Sequence, residues 1–393
     1  MSEHIYIVGA ARTPIGSFGS SLASVRAPEL GSIAIKSALE RSGMPTTAVD
    51  EVLMGSVISA GLGQNPARQA SLAAGLSESV GATTINKVCG SGLKTVMLAA
   101  QSVALGEADV VVAGGMESMS GAPYLLQQAR TGYRLGNGEL VDAMIYDGLW
   151  DVYNNQHMGH FGDLCASKFG FTREQQDDFA VRSYTRALAA MQDGIFAQEI
   201  VAVGVVTKKE TIVVSEDEEP QRFDEDKLRS LKPAFSGEGT ITAGNASSIN
   251  DGAAAVVMAS ESRCREQDVA PLARIVGSAT CSQEPQWFTT APIAAIEKLL
   301  AKLDWNVDDV DLFEINEAFA VVAMAAQQEL KIPEEKLNIH GGAVALGHPI
   351  GASGTRILVT LLNAMQQRTA KRGIAALCIG GGEAVALAVE GLR

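Results

Sequence analysis

The chain predicts an α/β fold. Three observations carry that prediction: short apolar runs closed by glycine, segments of helical period between them, and the same strand and helix pattern in both halves of the chain. Residues 4–10 read as a strand that ends near Gly9. Residues 29–41 have helical spacing and stop at Gly43, and residues 49–56 form a second strand candidate. Residues 110–115 are a buried strand closed by Gly114 and Gly115. Strands alternating with helices in this way imply a mostly parallel sheet.

The stretch from Pro123 to about Asn250 differs in kind. It carries more charge, more aromatic residues and more polar loops. Residues 172–193 look helical, with Thr172 and Gln175 as a capping box, and residues 215–220 form a charged loop. More than a hundred residues is too long for an ordinary connection, so this reads as an inserted loop domain. The α/β pattern returns with strands at 254–259 and 272–277, a helix at 293–303, a strand at 310–315 and a helix at 318–330. Gly90-Ser91-Gly92 opens an apolar helix followed by a strand that ends in Gly114-Gly115-Met116-Glu117. Ala352-Ser353-Gly354 opens another, followed by a strand that ends in Gly380-Gly381-Gly382-Glu383. That echo suggests a duplicated unit.

Composition narrows the function. At 393 residues and 47% hydrophobic, the chain has material for two or three domain-sized units. A formal charge of −14 argues against nucleic acid as a partner, since phosphate contacts need a basic surface. No apolar run reaches the roughly 20 residues of a membrane span, and no secretory signal is visible. Five scattered cysteines without a CxxC pair fit a reducing compartment and, with that start, a cytoplasmic location.

Two cysteines and one histidine stand out because glycines fence them. Cys89 precedes Gly90-Ser91-Gly92 and is expected at a helix N-terminus, where the dipole lowers a thiol pKa. The plainer reading is a small buried hydrophobe. His348, between Gly347 and Pro349, sits in a loop where a neutral imidazole can take a thiol proton; a structural histidine is the alternative. Cys378 ends a strand before three glycines. It is either a second acid–base thiol, with backbone N–H groups nearby for an oxyanion, or a buried strand cysteine. Asn316 lies between a strand and a helix, as a helix cap or as an amide that holds a water. His157, His160 and Cys165 lack a fourth ligand and common zinc spacing, so no metal site is assigned. Cys264 and Cys281 have no chemical context and are read as structural.

These four loops, together with Arg12-Thr13-Pro14-Ile15-Gly16, Gly114 to Ser120, His157-Met158-Gly159 and Thr242 to Ser247, resemble the thiolases nearly end to end, and among them the acetyl-CoA acetyltransferases. The resemblance implies two similar βαβαβαββ-type halves packed as five layers, α-β-α-β-α. The expected bounds are 1–121 with 250–270 for the first half, 122–249 for the loop domain and 271–393 for the second half. It implies that Cys89 takes an acetyl group from acetyl-CoA after activation by His348, and that Cys378 then deprotonates a second acetyl-CoA. His348 with a water on Asn316, and the N–H groups of Cys89 and Gly380, would be the two oxyanion sites. Coenzyme A would meet His157, Met158, Arg222, Ala243, Ser247, Phe288, Ala318 and Phe319, with Met158 limiting acyl length. No tightly bound cofactor is implied. Coenzyme A and acetyl-CoA are substrates, and Pro220, standing where a tyrosine is expected, puts potassium activation in doubt. Phe288 stands where a methionine is common, which makes a 2-methyl-branched substrate worth testing. Family members are dimers or tetramers, with residues 122–138 as the tetramer loop, so a homo-oligomer is expected. The competing readings are a broad-range 3-ketoacyl-CoA thiolase, a papain-like Cys-His-Asn hydrolase and a catalytically silent acyl-CoA binder.

Overall fold

The computed structural model describes residues 3–392. Its frame is a ten-stranded sheet. The main strands are β1 (Ile5–Arg12), β2 (Glu51–Gly55), β3 (Gly81–Ile85), β4 (Val110–Ser118), β5 (Asn250–Ser260), β6 (Ala273–Ser282), β7 (Leu312–Ile315), β8 (Arg372–Ile379) and β9 (Glu383–Gly391). Their spatial order is β7-β8-β9-β6-β1-β5-β4-β2-β3, and Gly16–Ser17 adds a short pairing to β5. The order is nearly palindromic about the β1·β6 seam, where Tyr6 faces Arg274 and Ile7 faces Ala273. The duplicated pattern in the sequence therefore corresponds to two half-sheets joined edge to edge.

The sheet is not mostly parallel. Only β2·β3, β2·β4 and β7·β8 are parallel; β1·β5, β4·β5, β6·β9, β8·β9 and the seam are antiparallel. Helical crossovers enforce parallel pairing only where they occur. β5 enters from the long insertion and β9 folds back tightly after the three glycines, so both run against their neighbours. That strand, 383–391, was not expected from the sequence. β1 likewise runs through Gly9 to Arg12, with a register shift between Ile7 and Gly9.

The main helices are α1 (Ala27–Ser42), α2 (Pro66–Ala73), α3 (Ser91–Leu105), α4 (Gly159–Phe169), α5 (Arg173–Gln192), α6 (Ala291–Leu303), α7 (Ala320–Leu330) and α8 (Ser353–Arg368). Strand alternation sorts them into layers, because successive side chains point to opposite faces. Val110 and Val112 of β4 pack outward with Leu30, Ala34 and Ile35 of α1. Val111 and Ala113 pack inward with Val96 of α3 and Leu358 of α8. On β8, Ala375 and Leu377 join that same inner core, while Ile374 and Ala376 face Ile296 and Leu299 of α6 and Ala323 of α7. The result is helix, sheet, helix, sheet, helix, with α3 and α8 in the middle. The stretch Val88–Leu105 is, contrary to expectation, long and apolar enough to cross a membrane. Its apolarity has a simpler cause: α3 is sandwiched between two sheets.

Between Ser118 and Asn250 the chain lies outside the main sheet and supplies α4, α5 and three small two-stranded pairings. The α5 cap is the expected reciprocal one: Gln175 N–H donates to Thr172 Oγ1 (3.2 Å), and Thr172 N–H donates to Gln175 Oε1 (2.9 Å).

Candidate active site

The N-termini of α3 and α8 meet in the central layer, and glycine makes the approach possible. A Cβ on Gly92 would lie 2.8 Å from the Thr355 nitrogen, and one on Gly354 would lie 2.2 Å from the Leu93 nitrogen. Thr355 Oγ1 and Thr95 Oγ1 both donate to the Gly92 carbonyl (2.7 Å each). This contact carries the turn before α3, with Cys89, to the loop before α8, with His348.

Around that junction is a cavity of about 480 Å³. Cys89, His348, Gly380, His157, Met158, Arg222, Ala243, Ser247, Phe288, Ala318 and Phe319 all line it. Asn316 and Cys378 are fully buried immediately behind its wall. Asn316 reaches the site through its side chain, with Nδ2 3.5 Å from His348 Nε2, at the long limit of a hydrogen bond. It is not a helix cap, because α7 begins only at Ala320, with Phe319 as its N-cap. Its Oδ1 is buried without a protein partner. Cys378 packs with Met158, Phe161, Phe288 and Phe319.

The hydrogen bonds assign the histidine tautomer. Ser353 Oγ donates to the Pro349 carbonyl (2.9 Å), so across the 2.6 Å contact with His348 Nδ1 it accepts, and Nδ1 carries the proton. Nε2 then keeps its lone pair toward Asn316. Burial pushes the imidazole pKa down to about 3, and the charge of Arg356, one turn along α8, adds to this. The histidine is therefore neutral at rest.

The expected low thiol pKa at Cys89 is overturned. Burial pushes it up to about 11, outweighing the Cys89 and Gly380 N–H groups that favour the thiolate. The nearby Glu117 carboxylate adds to the rise. Cys89 keeps some exposed surface and lines the cavity, with protein packed around the rest of it. Desolvation decides the outcome because a helix end offers only a fraction of a charge. Burial also raises the Cys378 thiol well above its ordinary value, and the neighbouring Cys89 contributes. The resting site thus holds two thiols and one bare imidazole nitrogen.

Several residues around the site have no role assigned by sequence reasoning, although Glu117, Met119 and Ile350 lie within motifs it singles out. Phe235 stacks on His157, with centroids 4.7 Å apart, but it lies in the polar insertion without periodicity around it. Met119 and Ile350 line the cavity too. Glu117 accepts N–H bonds from Val57 (2.9 Å), Ile58 (3.2 Å) and Gly351 (2.9 Å), tying the loop after His348 to the strand ends beneath Cys89. His160 and Cys165 lie on α4. Cys165 is wholly buried beside Phe161, and Cys264 is buried in the outer core.

Comparison with known proteins places the whole chain in one family. The model of the thiolase N-terminal domain matches residues 5–262, and that of the C-terminal domain matches 269–391. An acetyl-CoA acetyltransferase of Cupriavidus necator is 52% identical over 98% of this chain and 99% of its own. Acetyl-CoA acetyltransferase 2 of Arabidopsis thaliana is 53% identical over 98% and 96%. Among solved structures, the Bacillus anthracis acetyl-CoA acetyltransferase superposes with a TM-score of 0.97 at 42% identity, covering 100% of this chain and 99% of that one. An Ascaris suum thiolase in complex with coenzyme A superposes at 0.94 with 44% identity, covering 99% and 100%. The chain belongs to the thiolase family.

Proposed function

We propose that the cavity carries out a two-step acetyl transfer between coenzyme A thioesters. The chain is an acetyl-CoA C-acetyltransferase, joining two acetyl-CoA molecules into acetoacetyl-CoA and coenzyme A, or running the reverse thiolysis. The observation that carries this reading is the meeting at one cavity of the Cys89 thiol on its wall, the buried Cys378 thiol behind it and a neutral His348 with a bare Nε2.

Proton balance assigns the roles. His348 Nε2 takes the Cys89 proton as the sulfur attacks the acetyl carbonyl. Cys378 gives its proton to the departing coenzyme A sulfur and becomes the thiolate. The acyl–sulfur bond to coenzyme A breaks and that to Cys89 forms. The Cys378 thiolate then removes a proton from the methyl carbon of a second acetyl-CoA. His348, now carrying Nε2–H, and a water held by Asn316 Oδ1 stabilise the enolate oxygen. The carbanion attacks acetyl-Cys89, the Cys89 sulfur leaves, and it recovers its proton from His348. Every group ends as it began. The Cys89 and Gly380 N–H groups stabilise the tetrahedral oxyanions.

The acyl group is short in this reading. Met158 lies against Gly380, and Phe288 and Phe319 contact edge to face behind it. Arg222, at the outer wall of the cavity, takes the nucleotide end of coenzyme A. A homo-oligomer completes the proposal: exposed apolar side chains crowd the insertion at Tyr124, Leu126, Leu135, Leu140 and Tyr153.

The experiment is coenzyme A-dependent cleavage of acetoacetyl-CoA, 2-methylacetoacetyl-CoA and 3-ketohexadecanoyl-CoA by wild type and by Cys378→Ala. Wild type is expected to cleave the first and not the last. Cys378→Ala is expected to form acetyl-Cys89 from acetyl-CoA more slowly than wild type, as seen by mass spectrometry, without turning over. Strong cleavage of the long chain would favour a broad-range thiolase, and normal turnover by Cys378→Ala would refute its role as base.

A further inference from the structure

The two N–H groups that favour the Cys89 thiolate come from opposite halves of the chain, one from Cys89 and one from Gly380. Their spacing must be set by something other than the glycine loop itself. Gly381 and Gly382 have φ of +90° and +84°, and a loop of three glycines has the greatest backbone freedom available. Besides the Gln283 N–H, which donates to the Gly382 carbonyl (2.9 Å), the side chains on either side of the loop fix where Gly380 points. Both of them rest on the cysteine turn. On one side, Ile379 packs so closely on Gly90 that a Cβ there would lie 2.3 Å from it. On the other, Glu383 forms an ion pair with Lys87, two residues before Cys89.

The cysteine turn itself requires outside support. Val88 has φ +46°, an unfavourable conformation for a β-branched residue, which persists only when its surroundings impose it. Ser91 Oγ accepts from the Lys87 N–H (2.8 Å) and donates to the Val88 carbonyl (2.7 Å), and Asn86 Oδ1 accepts from the Val88 N–H (2.9 Å). These bonds are local. The Lys87–Glu383 pair is the charged link from this turn to the other half. Ser282 Oγ donates to the second carboxylate oxygen (2.9 Å) and orients it, and Lys94 also faces this carboxylate. Burial pushes the Glu383 carboxyl up, yet the bonds from Lys87 and Ser282 outweigh it and hold it below the usual carboxylate range.

We propose that Lys87 and Glu383 are a pair of positioning residues that clamp the glycine loop to the cysteine turn and so set the spacing of the Cys89 and Gly380 N–H donors. Neither residue lines the cavity; both act through the loops that do. The proposal rests on Cys89 as the nucleophile. The pair is partly exposed, so it contributes little to stability, and its loss is expected to appear in rate rather than in folding.

The test compares wild type, Lys87→Met, Glu383→Gln and the reversed pair Lys87→Glu/Glu383→Lys. Single-turnover acetylation of Cys89 by acetyl-CoA, steady-state kcat and KM for thiolysis, and melting temperature are measured on each. Either single variant is expected to acetylate about fivefold more slowly, with a matching fall in kcat. KM and melting temperature stay close to wild type, and the reversed pair is faster than either single variant. Acetylation at the wild-type rate in both single variants, or a reversed pair no faster than they are, would overturn the clamp. A melting temperature that falls while the rates hold would also overturn it, leaving a purely structural bridge. If Lys87→Met fails to fold, the near-isosteric Glu383→Gln still decides. Absence of acetyl-Cys89 in wild type would instead refute the nucleophile, so the two failures are distinguishable.

Discussion

At the scale of single residues, Cys89 is a protonated thiol, and the proposed mechanism deprotonates it during the reaction rather than before it. With a pKa pushed to about 11, only on the order of one thiol in ten thousand is ionised at pH 7. Alkylation of Cys89 by iodoacetamide should therefore rise roughly tenfold per pH unit between pH 7 and 10, with no plateau near neutrality. The sign follows from burial: desolvation disfavours the charged form, so the thiolate appears only at high pH. A plateau below pH 8 would show that the thiolate is already formed before substrate arrives. His348, held down to about 3, should add no further inflection to the alkylation profile above about pH 4.

At the scale of elements, the site depends on the close crossing of α3 and α8. Gly354→Ala places a methyl 2.2 Å from the Leu93 nitrogen, a backbone atom that cannot swing aside as a side chain can. The two helix N-termini should separate, moving His348 from Cys89. Overpacking of this kind costs about 1–3 kcal/mol. The turnover loss should exceed what the stability loss accounts for, because positioning errors near 1 Å can cost about a hundredfold in rate. Circular dichroism melting and thiolysis rates measured together decide this. Wild-type turnover in a folded Gly354→Ala variant would show that the crossing has slack.

At the scale of the whole molecule, one buried ion cluster ties the insertion to the sheet. Arg12, at the end of β1, donates to Glu199 and, bidentately, to Asp217 (2.7 and 2.9 Å), and all three are almost fully buried. Arg12→Met leaves both carboxylates buried without their partner. Breaking such a cluster from one side costs about 3–5 kcal/mol. Urea unfolding should show a markedly lower midpoint, and an unchanged midpoint would mean that the insertion is held by its apolar contacts alone.

The sequence by itself determined the chemistry of this protein: which thiols, imidazole, amide and glycines are available. Those signals are local, since glycine spacing around Cys89, His348 and Cys378 is written within a few residues of each. It also determined most helices and strands, because burial imposes periods that can be read along the chain, as at α1 and β4. Only the tertiary structure decided the direction of β5 and β9, which depends on where the insertion and the glycine turn deliver the chain. It alone decided the Cys89 pKa, because helix position is local and desolvation is not. Residues that act by long-range contact, such as Phe235 on His157 or Lys87 on Glu383 across 296 positions, leave no mark in sequence spacing. Their partners are chosen by packing, and packing exists only once the two halves have met.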